Sequence, residues 1–232
     1  TDKCVRVNRF DEDTLIGLPY PYSVPCISDK FQEMYYWDTY FTNIGLLLEG
    51  DTEQAKNNAE NMAFLIRKYG FMPNGSRTYY LSRSQPPFFS EMVLDIYKCT
   101  NDKEWLKSIM DAVETEYNFW SENRKTKTGL MQYSPIVKKE DTERLCNYFN
   151  DRVGDDITGL EKEDVARTTL IGCESGWDFN PRTEMKQKQF ASMQLVHVKL
   201  QPAQSKQIQT SKSRIQIGTS LHLAKAQNSL WN

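Results

Sequence analysis

Two acidic residues of this sequence stand among aromatic rings. Asp38 lies in Phe31–Phe41 (FQEMYYWDTYF), beside Tyr35, Tyr36, Trp37, Tyr40 and Phe41. Asp178 sits between Trp177 and Phe179 in Cys173–Arg182 (CESGWDFNPR), where Gly176 adds backbone freedom. A carboxyl next to rings loses solvation, so its pKa should rise. Such an acid stays protonated near neutral pH and can give its proton to a leaving glycosidic oxygen. Asp178 suits that role better than Asp38, whose ring of tyrosine hydroxyls would stabilise an anion. A third segment, Phe71–Pro87 (FMPNGSRTYYLSRSQPP), adds Asn74, Arg83 and Gln85. With Asp38 these are planar groups that grip adjacent hydroxyls, and Arg is the preferred fork. Trp37 and Trp177 offer flat faces for the apolar C–H side of a pyranose. The combination suits a neutral polyhydroxyl ligand. Plainer roles stand beside it: Asp38 capping or pairing in a core helix, Asp178 bonding local backbone at a turn.

Helices must carry these groups. Asp51–Tyr69 reads as one amphipathic helix, with Ala55, Ala59, Met62, Ala63, Ile66 and Tyr69 at three- and four-residue spacing. Asp51 can cap it, Gln54 stands three residues on, and Gly70 stops it. Asp102–Asn123 repeats the pattern through Trp105, Ile109, Val113, Tyr117 and Trp120, with Asp102 as N-cap. Shorter helices are expected at Tyr36–Leu48, Phe88–Cys99 and Glu161–Cys173. Alternating strands are nearly absent, so the chain reads as all-α, built from consecutive helix pairs. The segment from Phe71 to Pro87 is longer than most loops inside a compact domain, which points to function or disorder. Its tyrosines, leucine and arginines argue against disorder, and Pro86 and Pro87 impose an extended entry into the next helix.

Composition narrows the partners. The 232 residues carry 29 bases and 31 acids, net −2, so nothing attracts a polyphosphate overall. No apolar run approaches the roughly 18–20 residues of a membrane span. The five cysteines form no CxxC pair and no metal-ligand spacing. They read as free thiols in a reducing compartment, and the first thirty residues show no export signal. The expectation is therefore cytoplasmic, with an extracytoplasmic place left open. The balance changes at Arg182. Residues 1–182 hold 22 bases and 30 acids, whereas residues 183–232 hold 7 bases and 1 acid and 9 of the 13 glutamines. The expected division is thus a folded part, 1–182, and an atypical basic, Gln-rich tail, 183–232, poorly ordered or weakly packed. A nucleic-acid arm fits that tail poorly, because its bases are dispersed and few aromatics are interleaved. An abnormal C-terminus on a truncated reading frame fits it at least as well.

Three blocks in order, FQEMYYWDTYFTNIGLLLEG, YGFMPNGSRTYYLSRSQPPFFSEMV and ESGWDFNPR, resemble trehalases of glycoside hydrolase family 37. The resemblance runs from about Lys30 to Arg182, and the unbroken PNGSRTYYLSRSQPPFF is its most specific part. It implies an (α/α)6 toroid, here a partial one. It also implies an inverting glycosidase that cleaves α,α-trehalose to two glucose molecules without a metal or organic cofactor. By the same resemblance Asp178 is the general acid. Trp37, Asp38, Asn74, Arg83, Gln85, Gly176 and Trp177 are matched to the sugar site. Arg83 also admits a structural ion pair, and Asn74-Gly75-Ser76 is a glycosylation triplet that would block such a site.

Three departures bear on activity. Lys30 stands where the family usually has Arg, which keeps the charge but loses the fork. Asn150-Asp151-Arg152 is not followed by the family's Pro-Arg-Pro-Glu element. Another α-glucoside therefore stays open as substrate. Lastly, an inverting mechanism needs a second carboxyl, about 6.5–9.5 Å from the first, to activate water. After Arg182 the single acid is Glu184, which matches no base motif, so the general base is unidentified. The expectation is the N-terminal half of a toroid, lacking its base and several helix pairs, with little or no turnover as it stands and apolar surface exposed at an open ring end. A non-catalytic carbohydrate-binding protein is the alternative function. Oligomeric state is not legible.

Overall fold

A computed structural model of the chain describes residues 4–27, 31–133 and 162–176. Among these described residues stand five α-helices: α1 (Tyr36–Glu49), α2 (Thr52–Tyr69), α3 (Phe89–Thr100), α4 (Lys103–Asn123) and α5 (Lys162–Ser175). Each expected helix is present, with ends displaced by one or two residues. Residues 183–232 and the division at Arg182 lie outside the described residues.

The helix ends follow from local chemistry. The Asp51 carboxylate accepts from the Gln54 backbone N–H at 3.1 Å, and the Asp102 carboxylate accepts from Trp105 N–H at 3.0 Å. Both satisfy amide donors that a helix start leaves without partners. Only half of the expected capping box forms, because the Gln54 side chain turns away to Pro21 O and Asn58 Oδ1. Gly50 and Gly70, in the left-handed region, stop α1 and α2.

Two-residue turns join α1 to α2 and α3 to α4, making two helix hairpins. Across the hairpins α1 packs on α3 and α2 packs on α4. Helices α1 and α3 thus form one layer and α2 and α4 a second, the arrangement that successive units of an α/α toroid require. The buried face of α2 is small and tightly apposed, with Ala55, Ala59, Met62, Ala63, Leu65 and Ile66 fully buried. It meets Met92, Val93 and Ile96 of α3 and Ile109, Ala112 and Val113 of α4 in one hydrophobic cluster. Burying a side chain such as Ile66 contributes about 1.5–3 kcal/mol. Along α1, Phe41, Ile44 and Leu48 form an exposed apolar stripe at helical spacing; Leu48 is 84% exposed.

The N-terminal segment is held to this frame by polar side chains of α2. A two-residue strand, β1 (Val5–Arg6), pairs antiparallel with β2 (Tyr22–Ser23). Asn58 Oδ1 accepts from Ser23 N–H at 2.9 Å, and Asn61 Oδ1 accepts from Tyr20 N–H at 3.0 Å. These amides supply partners to backbone groups that would otherwise be buried unpaired.

Candidate functional site

The long segment between α2 and α3 is ordered by its own backbone. Tyr36 N–H donates to Asn74 O at 3.1 Å and Ser76 N–H to Met34 O at 2.9 Å, so 34–36 runs beside 74–76. On the other side Ile16 N–H donates to Ser76 O and Thr78 N–H to Thr14 O. Residues 74–78 are therefore the middle rung of a short three-stranded ladder. One turn of 3-10 helix, Thr78–Tyr80, then reverses the chain. Asn74 N–H donates to Arg83 O at 2.9 Å, which draws the PNG and SRSQ ends together.

Gln85 reaches from this loop to α1. Its Oε1 accepts from Trp37 N–H at 3.1 Å. The N-cap residue of α1, Tyr35, makes no side-chain cap of its own, so Gln85 supplies the acceptor from 48 residues away. Asp38 stands in the first turn of α1, where a negative charge complements the helix dipole.

The end of α5 closes the arrangement. Asn74 Nδ2 donates to Ser84 O at 3.3 Å and to Cys173 O at 3.2 Å. Cys173 lies in the last turn of α5, whose carbonyls need outside donors. Both Nδ2 hydrogens are thereby used, and Oδ1 stays outside these bonds. Asn74 is 4% exposed and Ser76 fully buried, so once the chain has folded the glycosylation triplet is out of reach of an enzyme. Gly176 follows α5 with φ +70, and a β-carbon there would fall 2.5 Å from Cη2 of Trp37. The indole of Trp37 thus lies flat against a position that only glycine fills.

Arg83 is 5% exposed. Its Nη1 donates to Tyr79 O at 3.1 Å and to Ser82 Oγ at 3.0 Å, and its guanidinium lies 5.0 Å over the Tyr80 ring. No carboxylate pairs with it among the described residues, so the ion-pair alternative finds no partner there. Its buried Nε has no hydrogen-bond partner among them. Behind Tyr80 stands a buried cluster. Tyr35 donates to Glu33 and shares a 2.9 Å hydroxyl contact with Tyr80, and Glu33 pairs with Arg77 at 3.0 Å. Burial foremost, with the Glu33 carboxylate adding to it, pushes the Tyr35 phenol well above its usual range. Burial likewise raises Tyr80. Both stay neutral donors.

Trp37, Asn74, Gln85 and Gly176 are thus brought into one junction by direct contacts, with Asp38 and Arg83 as neighbours in the chain. Lys30, Trp177 and Asp178 lie outside the described residues. Two groups at the junction are absent from the sequence reading of the site. The Glu174 carboxylate accepts from Ser84 N–H at 3.0 Å, and Arg124 binds it through Nη2 at 2.7 Å and Nε at 3.2 Å. Glu174 falls inside the CESGWDFNPR block, which was its one available signal; Arg124, just past α4, had none. Among the described residues no three His, Cys, Asp or Glu side chains could hold a metal ion, and no helix is long and apolar enough to cross a membrane.

The family model described as Trehalase matches residues 5–200 of this chain. The chain belongs to the trehalase family. A periplasmic trehalase of Xanthomonas axonopodis pv. citri (strain 306) is 35% identical over 182 residues, covering 73% of this chain and 32% of that protein. The periplasmic trehalase of Shigella flexneri is 36% identical over 183 residues, with the same coverage of 73% and 32%. Among solved structures, the neutral trehalase of Saccharomyces cerevisiae superposes with a TM-score of 0.55 at 29% identity, covering 78% of this chain and 37% of that one. The chain therefore spans about a third of the length of the curated trehalases it matches. Its two-layered helix hairpins are one sector of the trehalase (α/α)6 toroid.

Proposed function

We propose that this chain carries the sugar-binding and proton-donating part of a trehalase, acting on α,α-trehalose. The observation that carries this reading is the junction itself. Motif blocks up to 99 residues apart meet through Asn74 and Cys173, and Trp37 lies against Gly176, two residues before Asp178. In the proposed chemistry Trp37 and Trp177 pack on the apolar faces of the sugar. Asp38, Asn74 Oδ1, Arg83, Gln85 and Lys30 hold hydroxyls. Asp178 gives its proton to the bridging oxygen as the glycosidic C–O bond breaks. Water attacks the anomeric carbon from the opposite face and loses its proton to a second carboxylate. The configuration inverts, and two glucose molecules leave. No cofactor enters, and the partner is the sugar alone.

A second reading is a carbohydrate-binding protein without turnover, or a hydrolase of another α-glucoside. Its support is the Pro-Arg-Pro-Glu element missing after Asn150-Asp151-Arg152. Glucose release from trehalose, compared between the chain and Asp178→Ala, separates turnover from binding. Equal background rates would reject catalysis. Calorimetric titration with trehalose then tests the site: Asp38→Ala and Arg83→Ala should each weaken uptake, and unchanged affinity in both would reject the assignment.

The relatives named periplasmic support a place outside the cytoplasm. The cytoplasmic expectation, drawn from cysteine usage and the first thirty residues, finds no support in them.

A further inference from the structure

Arg124 and Glu174 are side by side with almost no solvent contact, their side chains 4% and 0% exposed. They are 50 residues apart in sequence and join the end of α4 to the end of α5. The guanidinium meets aromatic rings as well as its partner, lying 4.6 Å over the Phe119 ring and 5.9 Å from that of Trp120. Removing two charges from water is costly, and a buried pair is weak evidence of added stability by itself. What distinguishes this pair is its third partner. Glu174 Oε1 also accepts from Ser84 N–H at 3.0 Å, and Ser84 precedes Gln85, whose side chain accepts from Trp37 N–H.

We propose that Arg124 and Glu174 are positioning residues of the sugar site, acting through Ser84 and Gln85 to set Trp37 against Gly176. The proposal rests on the sugar-site reading above. Arg124 orients the carboxylate with a two-nitrogen fork, which a lysine could not reproduce. The carboxylate fixes the backbone of Ser84, and with it the point from which Gln85 reaches α1. Ser84 Oγ, donating to Met72 O at 2.6 Å, pins the same residue from the other side. Side chains that face a ligand keep their geometry only when such supporting bonds hold them.

The decisive variant is the double substitution Arg124→Met with Glu174→Leu in the full chain. It removes both charges and refills their volume, so it should fold, melting within about 5 °C of the parent. Its trehalose affinity, titrated well below melting, should fall at least about ten-fold, as displaced contacts do. Hydrogen exchange at the Trp37 amide should quicken. Glu174→Gln, which keeps an acceptor for Ser84 N–H, should fall between the two and carries the comparison if the double variant does not fold. A purely stabilising pair predicts the opposite, a folded double variant with parental affinity and parental Trp37 exchange, and that result would overturn the proposal. If the parent takes up no trehalose, the functional reading fails, and Trp37 exchange alone decides the positioning role.

Discussion

Gly176 and Trp37 are 139 positions apart in the chain, yet the indole occupies the space where a β-carbon of residue 176 would be. The three atoms nearest that point, at 2.5, 2.8 and 2.8 Å, all belong to the Trp37 ring. A rigid bicyclic ring cannot yield as a flexible side-chain end would. With φ at +70, residue 176 also sits where an L side chain is strained.

Gly176→Ala should therefore act twice. The backbone strain costs about 1–2 kcal/mol, and the methyl must push Trp37 off its seat. Thermal unfolding should show a lowered midpoint, and trehalose titration a larger loss than the stability change explains. Parental affinity in a folded Gly176→Ala protein would mean that Trp37 does not need this seat.

Glu116 predicts a pH dependence of stability. Its carboxyl, 4% exposed on α4, donates or accepts nothing but a 2.5 Å bond from the Tyr36 hydroxyl among the described contacts. Burial raises its pKa to about 8, with the Tyr36 bond opposing. The unfolded chain ionises near pH 4.5 while the folded chain keeps the proton. The contribution is thus full below about pH 4.5 and is lost as pH rises toward 8, at up to about 1.4 kcal/mol per pH unit. Glu116→Gln should remove this slope from urea unfolding measured between pH 5 and pH 8. Identical slopes in both proteins would place the carboxyl in a wetter site.

Asn74 should matter as a tie before it matters as a ligand. Asn74→Ala breaks two buried amide bonds and leaves Ser84 O and Cys173 O short of donors, a loss of about 1–3 kcal/mol. Denaturant unfolding measures it. Folded protein from a glycosylating host should carry a bare Asn74 by mass spectrometry; a glycan on Asn74 in the natively folded fraction would contradict its burial.

Gln85→Met keeps the shape of the side chain but removes the acceptor for Trp37 N–H. One unpaired helix-start donor should cost about 1 kcal/mol, and exchange at the Trp37 amide should quicken while the rest of α1 keeps its protection. Slow exchange at Trp37 in this variant would mean another acceptor holds the start of α1.

Helices α1 to α5 were legible from local information, because a 3.6-residue apolar period, Asp51, Asp102 and Gly70 act within a few positions. The blocks that meet at the junction were legible because Trp37, Asp38, Asn74, Arg83 and Gln85 stand in two aromatic- and polar-rich segments of the sequence. Only the tertiary structure divided their labour. It spends the Asn74 amide on the carbonyl of Cys173 and the Gln85 carbonyl on the start of α1. It also brings in Arg124 and Glu116, which no motif marked, and Glu174, which stood in the CESGWDFNPR block without an assigned role. The physical reason is range. Capping and periodicity are settled within one or two turns of helix, whereas a buried amide or charge takes whatever partner packing brings to it, here 48 to 99 residues along the chain.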